Sequence, residues 1–189
     1  MDGKLLTALR NAANDQPATT AGAWAGGPAA VEGFLRRVVA DLDRMPALRV
    51  HHAEFGHYGS GYASYVDVFV TRRDGSASRS EHGWTEVEGL ALALCRLAPV
   101  AVLLKPDTQS SGPNGAGRRG LPELSLVTDA APPGWEEECR QLRQVLDRHE
   151  IDLLDTQLLG RRLEAGLRVE TNLGDAPYTV FDAWFHWMD

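Results

Sequence analysis

Four side chains suited to chemistry fall between positions 51 and 57: His51, His52, Glu54 and His57. Imidazole and carboxylate groups bind zinc and related metals, and imidazole moves protons near neutral pH. On a strand, His52 and Glu54 would share one face. His57 would swing over from the segment Gly56-His-Tyr-Gly-Ser-Gly-Tyr62, whose three glycines predict a flexible loop of the kind that holds binding sites. The spacing matches no standard zinc motif, and no hydrogen-bond partner that would fix an imidazole tautomer is identifiable. No metal and no cofactor is therefore expected, and a small enzyme with its site on the His51–His57 hairpin is the alternative reading. Ser110 and Ser111 lack the strand–turn–helix setting of a nucleophile elbow. The glycine-rich stretch 105–120 lacks the Gly-Lys-Ser/Thr of a phosphate-binding loop. Cys95 and Cys139 read as small buried hydrophobes on helix faces rather than a disulfide.

A second candidate is acidic. Glu136, Glu137 and Glu138 open a predicted helix, and Glu150, Asp152 and Asp155 follow it. Acids in a first turn complement the helix dipole. Together the six predict a negative end of the molecule, with Glu137 and Glu138 exposed, suited to steering a basic protein partner.

The elements that must position these residues follow from periodicity. Residues 28–45 predict a helix: Pro28 suits its first turn, and Val31, Phe34, Leu35, Val38, Val39, Leu42 and Met45 recur at three and four. Leu48–Phe55 and Ala63–Thr71 predict a hairpin, followed by a short edge strand over 77–81. Residues 85–98, apolar nearly all round and opened by Thr85 and Glu88 in capping-box spacing, predict a buried helix. Val100–Leu104 predicts an interior strand, 105–120 a mobile loop, and Leu121–Thr128 a returning strand. Residues 134–149 predict a third strong helix; Ile151, Leu153 and Leu154 either start a strand or extend that helix, and a short strand over 167–171 completes the series. The pattern predicts an α+β fold: a mixed, mainly antiparallel sheet with helices packed against it and room for one parallel pair. Residues 1–26 read as an N-terminal appendage and linker, with Trp24 pinning it, and 27–189 as one domain.

The last twelve residues, from Tyr178, hold Phe181, Trp184, Phe185 and Trp187. Thr179 is an N-cap candidate with Asp182 in the first turn. Val180, Phe181, Trp184 and Trp187 predict one helical stripe, the alternative being a strand with Phe181, Ala183, Phe185 and Trp187 on one face; the stretch plugs the core or forms an aromatic groove for a partner. The ending Thr179-Val-Phe-Asp-Ala-Trp-Phe-His-Trp-Met-Asp189 resembles the TVFDALFxWxD ending of small bacterial proteins that include immunity proteins of toxin–immunity systems, departing from it at Trp184. The resemblance implies a non-catalytic protein that neutralises a cognate toxin by direct binding. A structural or assembly subunit is the remaining alternative.

With 189 residues, 43% hydrophobic and 24% charged, the chain is long enough for one sizeable core. A net charge of −7 disfavours nucleic acid and anionic membranes and suits a basic protein partner. The N-terminal residues lack an apolar signal region. The longest apolar run, 89–104, is broken by Arg96 and Pro99 and is too short to span a bilayer. A cytoplasmic location is expected.

Overall fold

The computed structural model describes residues 3–59, 61–112, 117–118 and 120–189. Its spine is a long strand, β5 (Trp84–Cys95). Over its second half Leu90, Leu92 and Leu94 enter one core layer while Ala91, Ala93 and Cys95 enter the other. A strand covered on both faces shows no polar stripe. The helix predicted over 85–98 is therefore corrected to a strand: its apolar residues recur at three and four as readily as at two, and long-range pairing decides between them. That pairing is antiparallel to β3 (Tyr65–Arg72) on one side and to β6 (Val100–Ser111) on the other. Thr85 and Glu88, instead of capping a helix, lie on a strand opposite Ser111 and Thr108.

β1 (Leu48–Glu54) pairs with β3 as the predicted hairpin, with a bulge between Val50 and His52. The chain from β1 to β3 passes through the short β2 (Tyr62–Ala63). β4 (Ser78–Glu81) is the predicted edge strand, and it covers only the outer end of β5. β7 (Gly117–Arg118) borders the far end of β6, and β8 (Asp152–Leu153) lies parallel to the start of β6. The sheet order β1-β3-β5-β6-β7 is thus mixed and mainly antiparallel, and the fold is α+β as predicted.

Helices sandwich the inner half of the sheet. On one face lie α2 (Pro28–Asp43) and α3 (Glu136–Arg148). They pack Val31, Leu35, Val38 and Leu42, then Cys139, Leu142 and Val145, against Val68, Leu90 and Leu92. The other face meets α1 (Gly3–Ala12), α4 (Thr156–Leu159) and α5 (Val180–Trp184). There the small Ala91 and Ala93 leave room for Phe69, Phe181, Trp184 and Phe185. The segment predicted as an appendage buries Leu9 and Ala12 in this layer. Trp24 enters the opposite layer and donates from Nε1 to the Arg96 carbonyl at 2.9 Å, pinning the segment as predicted.

Three more predictions are corrected. Residues 105–111, placed in the mobile loop, continue β6 because the outer half of β5 offers them a complete antiparallel partner; residues 113–116 and 119 of that loop lie outside the described residues. Leu121–Thr128 forms a 3-10 turn at Leu124–Leu126 and one bridge from Val127 to Leu104 rather than a strand. Residues 167–171 form no strand, although Val169 is buried.

At the C-terminus the Asp182 carboxylate accepts from both the N–H (2.6 Å) and the hydroxyl (2.8 Å) of Thr179, so α5 starts as predicted. It stops at Trp184, and β9 (Trp187–Met188) then pairs with β2. Trp187 therefore leaves the predicted helical stripe. The turn is held by buried Ser64, whose hydroxyl donates to the Trp184 carbonyl at 2.9 Å and whose oxygen accepts from the His186 N–H at 2.8 Å.

Candidate functional site

The structure disperses the histidine cluster. The bulge in β1 turns His51 edge-on to Phe69, with ring centroids 6.0 Å apart. His52 and Glu54 share a face as predicted, 3.7 Å apart. His57 turns elsewhere: its Nδ1 accepts from the Ala63 N–H at 2.9 Å, and its ring stacks on Tyr62 at 5.4 Å. Burial holds His51 and His57 below the usual imidazole range, helped by Arg49 beside the first and Arg96 beside the second. Among the described residues no group of three or more His, Cys, Asp and Glu is placed to hold a metal ion. Burial pushes the Cys95 thiol up to about 12 and the Cys139 thiol up to about 11, far from a reactive thiolate.

The acidic set is also divided. Glu136, Glu137 and Glu138 begin α3, and Glu150 and Asp152 lie past its end, roughly 20 Å away at the rise of an α-helix. Glu136 accepts from the Gly134 N–H at 3.0 Å. Glu137 accepts from Arg140 at 2.6 and 2.7 Å and from Gln141 at 2.7 Å, and these bonds, Arg140 first, hold its carboxyl at about 2. Glu138, predicted to be exposed, is only 8% exposed and accepts from Arg72 Nε at 3.1 Å. The reason is its position on α3 beside the Cys139–Leu142 stripe, where Arg72 also lies over the Trp135 ring at 4.7 Å. Asp155 caps α4 by accepting from the Leu158 N–H at 2.7 Å. The six acids therefore do not make one negative end.

Two other features stand out, one at each end of β5. At the inner end, where β5 turns toward β6, a cavity of about 580 Å³ opens between the start of α2, the loop carrying His57, and the C-terminal strand β9. Arg96, Tyr62, His57, Asp15 and Glu32 supply its polar wall, and Pro28, Val31 and Leu97 are among its apolar residues. Both carboxylates already have partners. Asp15 Oδ1 lies 2.6 Å from Nε2 of His186, a ring only 1% exposed whose Nδ1 sits 3.1 Å from the Asp182 carbonyl. Both nitrogens of the ring thus have a polar partner. Glu32 pairs with Arg36 at 2.7 Å. Arg96 differs: Nε donates to the Tyr65 carbonyl at 3.2 Å and Nη2 to the Phe55 carbonyl at 2.9 Å, and among the described residues no carboxylate pairs with it. Burial draws its basicity down, with the nearby Glu32 acting in the opposite sense. Burial first, and then the Asp15 charge, raises the Tyr62 phenol well above its usual range. Positive φ angles at Asp15 (56°) and His57 (54°) place backbone strain at this wall.

At the outer end, β5 runs past its helical cover. The face that buries Leu90, Leu92 and Leu94 continues outward as Glu88, Glu86 and Trp84, all exposed, between β4 and the far half of β6. Trp84 is 53% exposed. Its ring lies over Gly112, where an added Cβ would stand 3.0 Å from it.

Sequence reasoning singled out His57 but missed the other polar residues around the cavity, because they come from positions 15, 32, 62, 96 and 186. The only local signals were Arg96 interrupting an apolar run and His186 set among aromatic residues. No protein-family model matches the chain, and no curated protein or solved structure is significantly similar to it. Among the described residues no helix is long and apolar enough to cross a membrane.

Proposed function

We propose that the protein acts by binding another protein, as an immunity protein that neutralises a cognate bacterial toxin by direct contact. The observation that carries this reading is Trp84. A tryptophan 53% exposed on a strand face is the residue type most enriched among interface hot spots. The C-terminal resemblance supports the same class, and its aromatic residues serve the core rather than the contact: Phe181, Trp184 and Phe185 are all buried. Exposed Glu86 and Glu88 beside Trp84 suit a partner with a basic surface, since complementary charge steers encounter. The contact surface in this reading is the outer half of β5 rather than the acids around α3.

The test is titration of the purified protein against the product of the adjacent reading frame, followed by stopped-flow association. Trp84→Ala is expected to weaken a complex by roughly 30-fold or more, the scale of a hot spot. Glu86→Lys with Glu88→Lys is expected to slow association and to flatten its salt dependence. Tight binding that neither set of variants changes would move the interface away from β5.

A further inference from the structure

We propose that the cavity at the inner end of β5 is a binding site for a small monovalent organic anion, a carboxylate with an apolar body. This inference is independent of the protein-binding reading and concerns the opposite end of the strand.

The charge balance of the wall sets the valence. Asp15 and Glu32 face the cavity, but each already has a partner of its own, the His186 ring and the Arg36 guanidinium. His57 accepts at Nδ1 from the Ala63 N–H, a bond open only to the uncharged ring, and burial and the Arg96 charge lower its basicity in the same sense, so it adds no positive charge to the wall. Arg96 is left as the one cation of the wall without a carboxylate among the described residues, and one negative charge on a ligand would match it. A doubly charged phosphate would bring a second charge toward Asp15 and Glu32 with nothing to balance it.

The donors set the chemical group. A guanidinium offers five N–H groups in a planar fork, and the carbonyls of Tyr65 and Phe55 account for two of them. Both N–H groups of Nη1 and the second N–H of Nη2 remain, and a carboxylate is the planar acceptor that fits the parallel pair across the two nitrogens. His57 accepts at Nδ1 from Ala63, so its neutral ring carries its proton on Nε2 and offers a donor there. The Tyr62 hydroxyl has no hydrogen-bond partner among the described residues, and burial keeps it protonated, hence also a donor. Three donor groups around one cavity, each with an N–H or O–H that no hydrogen bond takes up among the described residues, are the complement of an anion. The start of α2 lies on the same wall, and its dipole has the matching sign. Pro28, Val31 and Leu97 offer apolar surface to the rest of the ligand, and a volume near 580 Å³ is that of a small-molecule site.

The experiment is isothermal titration calorimetry of the full chain with acetate, hexanoate, phenylacetate, the uncharged phenylacetamide and inorganic phosphate, with thermal melts of every variant. Affinity is expected to rise from acetate to hexanoate by up to about fourfold per methylene, the scale of burying a CH₂ group. Phenylacetate is expected to bind at least about tenfold more tightly than phenylacetamide, the scale of a charge-assisted hydrogen bond. Tyr62→Phe keeps the ring that stacks on His57, so it should melt like the parent while binding phenylacetate several-fold more weakly. Arg96→Gln should abolish the preference for acid over amide. Four results would overturn the proposal: no saturable binding by the carboxylate series, equal affinity for acid and amide, phosphate binding more tightly than phenylacetate, or an acid preference that survives in Arg96→Gln.

Discussion

The two halves of β5 make the same backbone hydrogen bonds and meet opposite fates. From Leu90 to Cys95 the strand is flanked by β3 and β6 and covered by helices on both faces. From Trp84 to Glu88 it is flanked by β4 and β6, and one face carries only Trp84, Glu86 and Glu88 into solvent. The inner half is a stability element whose side chains are constrained by packing density. The outer half is freed from that constraint, so a large exposed ring there calls for a different explanation, and recognition supplies one. The junction is Gly89. A Cβ at this position would come within 2.4 Å of the Val70 carbonyl and 2.7 Å of the Phe69 ring. The backbone can approach β3 this closely only because the side chain is absent.

The contrast would break first in the inner half. Leu92 is fully buried, so Leu92→Ala is expected to cost about 2–5 kcal/mol, and Trp184→Ala about 3–5 kcal/mol on the other side of the sheet. Urea denaturation measures both. Costs below about 1 kcal/mol would mean that the double cover of β5 is not what stabilises the fold.

Gly89→Ala comes next. The added methyl must displace the Phe69 ring or bend the strand away from Val70, an overpacking cost of about 1–3 kcal/mol. Phe69→Leu in the same chain should recover part of the loss if the ring is the obstacle. A purely additive double variant would assign the strain to the Val70 carbonyl instead.

These inner residues also explain what the sequence disclosed. α2 and α3 were legible because each has one wet and one dry face: Arg36 is exposed while Val31 and Leu35 are buried; β3 is buried on both faces and was legible instead from its run of β-branched and aromatic residues. The inner half of β5 has no wet face, so nothing in Leu90-Ala-Leu-Ala-Leu-Cys95 distinguishes period 2 from period 3.6, and leucine and alanine favour helix locally. Pairing with residues as distant as Tyr65 overrides that preference. The same spacing of a hydroxyl and an acid gave a true cap at Thr179–Asp182 and a false one at Thr85–Glu88, which shows that the motif needs its context. The cavity was illegible for a related reason. Asp15 and His186 meet across the whole length of the chain, and only the tertiary fold brings them to 2.6 Å.

A smaller effect separates two neighbours on α3 that sequence reading treated alike. Glu138 is buried against Arg72, and Glu138→Ala is expected to cost about 1–3 kcal/mol by stranding that guanidinium. Glu137 lies in solvent with Arg140, and its carboxyl is held at about 2 against an ordinary 4.5. Its folded value is the depressed one. Its contribution is therefore complete above pH 4.5, fades as pH falls toward 2, and shrinks in high salt. Carboxyl NMR titration should give a midpoint near 2 that moves up in Arg140→Gln. A midpoint near 4.5 in the parent would remove Glu137 from the ion pair in solution.

The smallest expected effect on stability belongs to Trp84, and it tests the comparison most directly. Its ring makes one notable contact, over Gly112 at the margin of the sheet, and more than half of its surface is already in water. Trp84→Phe should therefore change the unfolding free energy by no more than about 0.5 kcal/mol, the range of ordinary surface substitutions. The same variant has a large optical signature. Trp24, Trp135 and Trp184 are each less than a tenth exposed, and Trp187 is half-buried. Acrylamide should thus quench one readily accessible component of the native emission, and Trp84→Phe should remove it. If the variant instead melts several degrees lower and leaves the quenching curve unchanged, Trp84 is packed in solution. The outer half of β5 would then be a second core rather than a free surface, and the protein-binding reading would lose the observation that carries it.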